Sequence, residues 1–317
     1  MGERSAAFAE VAGHQRVIRL LQSQLDDGRL AHAYLFVGEP GLGKTAVARA
    51  LAAALLPELP LRRHPDFWED DRQQNISINE VRLLPERQPE FHGQSLQAFL
   101  SLKPGVGSRR VAVISNVGRL KDEVQGILLK TLEEPHPNRV LILTSPNTSP
   151  FVVLPTVVSR CQRVAFHALA LAEVEAMLLA RGVPAALAAE LAGLSRGRPG
   201  WAIRAASDPR LVERHQQWAQ ELESVIAAPP DAALQLAAEL DSANFAWRGG
   251  DRAGEDPALG ALDSWQLHLR ERMVSAPDPA RWARMLELSF DTAGYLEQNV
   301  SPRLALECFL LECRRAS

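Results

Sequence analysis

Gly38-Glu39-Pro40-Gly41-Leu42-Gly43-Lys44-Thr45 decides the fold. The octapeptide fits G-x-x-x-x-G-K-[ST], in which glycines let the backbone curl so that successive N–H groups face phosphate oxygens. What surrounds it is what such a loop needs. Ala33-Tyr34-Leu35-Phe36-Val37 is a short apolar run without helical period, and it reads as a buried strand. Thr45 to Leu56 is alanine-rich and reads as a helix that stops before Pro57. A strand, a glycine turn and a helix N-terminus together make an anion site. In it Lys44 reaches the β- and γ-phosphates and the Thr45 hydroxyl ligates Mg²⁺. The nucleotide-binding residues are therefore expected to be Gly38, Gly41, Gly43, Lys44 and Thr45, holding ATP or ADP with Mg²⁺.

Working outward, residues 15–28 carry helical apolar spacing, and 57–75 read as a polar loop. Residues 78–102 read as helix interrupted around Pro85 and Pro89. Val111 to Ile114 and Val140 to Thr144 are two more buried strands, with a helix over about 122–134 between them. Strands alternating with helices predict a parallel sheet covered on both faces. Beyond residue 166 no further strand run occurs. Segments 170–181, 185–195, 210–227, 231–240, 259–273, 279–298 and 302–315 read as helices, with a polar, glycine-bearing loop over 242–262. The expected organisation is an α/β domain over 1–166, a helical segment over 167–207 and an all-α domain over 208–317.

Composition excludes several classes. Hydrophobic residues make up 46% and charged residues 23%, as in ordinary globular domains. No stretch approaches the ~18 apolar residues of a membrane span, and the N-terminus lacks the apolar core of a secretory signal. Three cysteines, Cys161, Cys308 and Cys313, exclude a disulfide framework and a four-cysteine zinc site, and a reducing cytoplasm is the expected compartment. Cys308 and Cys313 do not share a helix face and are expected to be buried thiols. Residues 1–166 carry 20 Lys+Arg and 17 Asp+Glu, a net of +3, and the remainder nets −6. Neither half has the basic balance of a solitary nucleic-acid binder.

Hydrolysis asks for more than a phosphate loop. A carboxylate near Mg²⁺ at the end of a second strand is the usual addition, with a glutamate beside it to polarise water. Here that strand ends Val113-Ile114-Ser115-Asn116. Ser115 could hold Mg²⁺ only through water, and Asn116 could orient a water but cannot take its proton. The residues predict ATP binding with little or no hydrolysis by this chain.

Several stretches together resemble bacterial clamp-loader subunits of the AAA+ class. They are Gly28-Arg29-Leu30-Ala31-His32-Ala33-Tyr34-Leu35-Phe36, Leu100-Ser101-Leu102-Lys103-Pro104, Leu128-Leu129-Lys130-Thr131-Leu132-Glu133-Glu134-Pro135, Leu154-Pro155-Thr156-Val157-Val158-Ser159-Arg160-Cys161 and, near the C-terminus, Leu296 to Glu307. The resemblance implies an AAA+ sheet domain, a small helical lid over 167–207 and an oligomerising helical collar over 208–317. It implies as partners the gamma/tau and delta subunits of the DNA polymerase III loader and, through the complex, the sliding clamp and primer-template DNA. It places Thr144 at the family's γ-phosphate sensor position, although a plain strand-end threonine reads the same way. It places Val11-Ala12-Gly13-His14 in a segment that contacts adenine.

Within the family, Ser115 and Asn116 stand where motor subunits carry an acidic pair. Gly200, in Gly197-Arg198-Pro199-Gly200, stands where the motor lid carries an arginine. Arg160 is retained in the Ser-Arg-Cys segment and is implied to act as an arginine finger in a neighbour's site; by itself it is an arginine on a strand edge. This combination resembles the delta-prime stator type. The absence of cysteine from 50–75 implies loss of the zinc module that many relatives carry. An ATP-hydrolysing gamma/tau motor and a stand-alone P-loop kinase remain as alternative readings. Lys130, Glu133 and Glu134, at i, i+3 and i+4, fit either local ion pairs or subunit contacts.

Overall fold

A computed structural model describes residues 6–72, 76–82, 89, 93–249, 256–297 and 300–315. The chain divides into two compact units, Met1–Ala206 and Ser207–Ser317. The first is built on five parallel strands: β1 Ala33–Val37, β2 Phe67–Asp70, β3 Arg110–Ile114, β4 Arg139–Ser145 and β5 Gln162–Ala165. Their order across the sheet is β2-β3-β4-β1-β5. The register sets Leu35 beside Leu143 and Arg163, and Val113 beside Ile142. Every residue of β3 is buried, as are the first four of β1 and six of the seven in β4. Continuous burial is what a parallel sheet covered on both faces requires, and it explains why these strands appear in the sequence as unbroken apolar runs.

The sheet's two faces carry separate apolar layers. Alternate residues divide between them by the two-residue period of a strand. Tyr34 and Phe36 join one layer with Leu21 of α1 (Gln15–Asp26) and Leu51 of α2 (Lys44–Leu55). Ala33 and Leu35 join the other. That second layer also holds Val81 of α3 (Ile78–Val81), Phe99 of α4 (Leu96–Ser101), Leu128 of α5 (Asp122–Glu133) and Val157 of α6 (Pro155–Val158). Three helices complete this unit: α7 Leu171–Ala180, α8 Ala185–Leu194 and α9 Pro199–Ser207.

Buried Gln125 of α5 ties the segment before α6 in place. Its amide nitrogen donates to Leu120 O at 3.1 Å and Val152 O at 3.0 Å, and its oxygen accepts from Leu154 N at 2.9 Å. All of its polar capacity but one lone pair is thereby used inside the fold.

The second unit is helical: α10 Arg210–Ala227, α11 Pro230–Gly249, α12 Pro257–Ser275, α13 Pro279–Glu297 and α14 Pro302–Arg315. Trp265 stacks on Phe309 with centroids 5.4 Å apart, and its indole N–H donates to Trp218 O at 2.8 Å. Trp218, Trp265 and Trp282 are all core residues. A buried tryptophan with its N–H bonded fills volume without stranding a donor.

The structure departs from sequence expectation in several places. The 57–75 segment contains β2, whose Phe67-Trp68-Glu69-Asp70 reads as polar because its carboxylates are paired with arginines. β5 is too short and too polar to register as an apolar run. α9 begins at Pro199, and proline suits the first turn of a helix, so Gly-Arg-Pro-Gly marks a start here. The 242–262 loop is mostly helix, because α11 continues to Gly249 and α12 starts at Pro257. Cys313 is buried while Cys308 is exposed, as residues five apart on a helix must diverge. Pro85, the Trp247 side chain, Gln298 and Asn299 lie outside the described residues.

Candidate functional site at the carboxyl edge of the sheet

In a parallel sheet all strands end on one edge, and that edge collects the nucleotide-site residues. The loop 38–43 leaves β1 and turns into α2. Gly43, at φ 89°, caps that helix in the left-handed region, and Gly41 sits at φ 83°. These angles are cheap only for glycine. Gly38 N donates to Ser145 O at 3.1 Å, which fastens the loop to the end of β4.

The Lys44 ammonium donates to the carbonyls of Gly38 and, at 2.7 Å, Glu39. It is buried, and burial lowers its pKa to about 8. This cation closes the loop on itself and must exchange carbonyl oxygens for phosphate oxygens when a polyphosphate enters.

Across from it, Thr45 Oγ1 lies 3.1 Å from Ser115 Oγ, the residue just past β3. Thr144 Oγ1 accepts from Asn116 N at 2.8 Å. Thr45, Ser115, Asn116 and Thr144 thus form one chain of contacts beside the loop. The donor set fits a polyphosphate through backbone N–H groups, a helix N-terminus and Lys44. For Mg²⁺ it offers the hydroxyls of Thr45 and Ser115, a weaker set than one with a carboxylate.

The acid that ends β2 on this edge is occupied. Asp70 ends β2, and its carboxylate accepts from Arg119 Nη2 at 3.0 Å and Arg72 Nε at 3.0 Å. Arg119 also donates to Ser115 O, at 2.6 Å from Nη2 and 2.9 Å from Nε. A buried guanidinium therefore braces the backbone at Ser115, just past β3. No reading of the sequence picked out Arg119 or Asp70. The signal available was an acid pair, Asp70-Asp71, directly after an alternating run.

Arg160 is not part of this cluster. It precedes β5, at the edge of the sheet where the strands begin, opposite the one that carries the loop. Its guanidinium contacts Glu133 Oε1 at 2.7 Å and Thr156 O at 3.0 Å, and it is partly exposed. Glu133 thereby pairs with Arg160 within the chain. Burial pushes the neighbouring Cys161 thiol up to about 12, so it stays protonated.

The strand–loop–helix site on a parallel sheet, followed by helices, defines a P-loop α/β protein of the AAA+ class. Residues 13–170 match the family model described as DNA polymerase III, delta subunit. Among curated proteins, the chain is 34% identical over 177 residues to the tau/gamma subunit of DNA polymerase III from Haemophilus influenzae, covering 54% of this chain and 25% of that one. It is 33% identical over 175 residues to the tau subunit from Escherichia coli, covering 53% and 26%. The chain thus spans about a quarter of the length of these relatives. A solved DNA polymerase III gamma subunit-related protein from Thermotoga maritima shares the fold, with a TM-score of 0.51 at 17% identity, over 93% of this chain and 98% of that one. The chain belongs to the clamp-loader AAA+ family related to the gamma/tau subunits of DNA polymerase III.

Proposed function

We propose that this chain is a delta-prime-like stator subunit of the DNA polymerase III clamp loader. In this reading it helps place the sliding clamp on primer-template DNA, beside gamma/tau and delta subunits. It binds ATP or ADP with Mg²⁺ through Gly38, Gly41, Gly43, Lys44, Thr45 and Thr144, hydrolyses little, and supplies Arg160 to a neighbour's nucleotide. Residues 1–166, 167–207 and 208–317 act as AAA+ domain, lid and collar, and the protein works in the cytoplasm at the nucleoid.

The observation that carries the reading is Ser115 Oγ against Thr45 Oγ1 at 3.1 Å, with Asn116 following. The hydroxyl pair can take part in a Mg²⁺ shell, but neither Ser115 nor Asn116 can accept a proton from an attacking water. Arg160, facing away from its own loop, fits action in trans. When nucleotide is bound, the family's chemistry is phosphoryl transfer to water. This chain's own part is to hold the phosphates and, at Arg160, to present a fixed positive fork to charge developing elsewhere.

Steady-state ATPase assays test this. The purified chain should bind ADP and ATP but turn over ATP far more slowly than a complex assembled with gamma/tau and delta partners. Turnover by the chain alone at the complex's rate would return the assignment to the motor type. A catalytically active monomer by native mass measurement would favour a kinase.

A further inference from the structure

The carbonyls of the nucleotide loop are held from outside by two groups that the phosphate-loop pattern does not include. In a trans peptide the C=O and the following N–H point in opposite directions within one plane. Gly200 N, at the start of α9, donates to Gly41 O at 2.8 Å. That bond fixes the Gly41–Leu42 peptide and turns Leu42 N–H away from α9. His14 Nε2 lies 2.6 Å from Leu42 O. A carbonyl can only accept, so Nε2 carries the proton, and the Leu42–Gly43 peptide is fixed with Gly43 N–H facing away from His14.

Both groups are themselves tightly placed. His14 is 8% exposed and packs edge-on against Phe166, with ring centroids 4.9 Å apart. Its backbone is left-handed, at φ 53°, and its carbonyl accepts the Ile18 N–H at 2.9 Å, within the first turn of α1. Glu173, His167 and Lys44 are the charged or titratable groups around it, and burial holds its pKa below the ordinary value. The ring is thus neutral at physiological pH, in the tautomer protonated on Nε2. At Gly200 a Cβ would lie 2.9 Å from Gly41 O, so the position takes glycine because the helix backbone rests on the loop.

We propose that His14 and Gly200 are positioning residues for polyphosphate: they pin two consecutive loop peptides so that Leu42 and Gly43 N–H are set toward the phosphates before nucleotide arrives. The inference rests on reading the loop as a phosphate site. It gives His14 a partner in the loop where the resemblance suggested the base. It gives Gly200 a contact where comparison with motor subunits had suggested only a missing arginine. Preset donors avoid an ordering cost on binding.

The test uses the full chain, a fluorescent ADP analogue with Mg²⁺, and inorganic pyrophosphate and AMP as competitors. His14→Ala should weaken ADP and pyrophosphate by a similar factor, about tenfold, a loss typical of one well-placed hydrogen bond. His14→Gln, whose amide can donate to Leu42 O, should bind within about twofold of the parent. Gly200→Ala should weaken both ligands as well, and it carries the test if His14→Ala does not fold. A loss of ADP and AMP binding in His14→Ala with pyrophosphate unchanged would assign His14 to the base and overturn the proposal. Unchanged ADP and pyrophosphate binding in both His14→Ala and Gly200→Ala would overturn it too. A parent chain that binds neither ADP nor pyrophosphate would instead overturn the phosphate-site reading beneath it.

Discussion

Arg160 and Glu133 form an ion pair at 2.7 Å that joins the end of α5 to the turn before β5, on the sheet edge remote from the nucleotide loop. Both side chains are partly exposed, at 35% and 49%, so the pair contributes on the order of 1 kcal/mol or less to stability. Its significance is positional: to act as the proposed finger, Arg160 would have to leave this acid. Arg160→Ala should shift the melting temperature by only a few degrees. It should still lower ATP hydrolysis by the assembled complex at least ~10-fold, since fingers in other nucleotide hydrolases contribute ~10³–10⁵. Wild-type turnover by a complex carrying the variant would remove the finger assignment.

Releasing the latch should have the opposite sense. Glu133→Gln leaves a neutral partner and frees Arg160 from its charge. We expect ATPase of the complex to stay at or above the parent rate, with folding unchanged. A fall comparable to that of Arg160→Ala would mean that Glu133 orients the arginine productively.

Lys44 gives a pH dependence with a defined sign. Burial lowers its folded-state pKa to about 8 from 10.5, so between those values the unfolded chain binds more protons than the folded one. Stability from this group is absent below about pH 8 and is gained as pH rises toward 10.5. Nucleotide phosphates favour the charged ammonium and should draw a proton onto it. ADP affinity should therefore fall as pH rises through 8 to 9. Calorimetric titrations at pH 8.5, in two buffers of different ionisation enthalpy, should show proton uptake on binding. Lys44→Met should abolish it.

The brace at Ser115 is the main stability prediction. Arg119→Met leaves the Asp70 carboxylate buried with Arg72 as its remaining named cation, and it removes both donors to Ser115 O. Removing one partner of a buried pair costs about 3–5 kcal/mol, and Arg72 should hold the loss near the lower end. Amide hydrogen exchange of β3 in the variant measures it. Protection equal to the parent would show that the pair contributes little.

Much of this fold could be read in advance, for identifiable reasons. β1, β3 and β4 are central strands buried on both faces, and central burial writes a continuous apolar run. β2 and β5 lie at the two sheet edges, where Glu69, Asp70 and Arg163 are tolerated and the run breaks. The nucleotide loop was legible because its chemistry needs fixed residue types at fixed spacing. His14, Gly200 and Arg119 were not legible as partners of that loop and of Ser115. Each acts on a backbone carbonyl or through a backbone N–H, and a carbonyl looks the same under any side chain. Glu133 could have paired with Lys130 along the helix; only the fold shows that the acid turns to Arg160.

The placement of Arg160 and the loop on opposite edges gives the domain a direction. A two-fold partner meets the domain with an identical patch and cannot match one edge to the other unless a single surface reaches both. Handing an arginine from one chain to the loop of the next therefore calls for head-to-tail contact. Under the proposed function, a chain with Ser115 and Asn116 past β3 in place of acids would complete its neighbour's site while using none of that help itself. In a row of such contacts that reading puts it at a terminus.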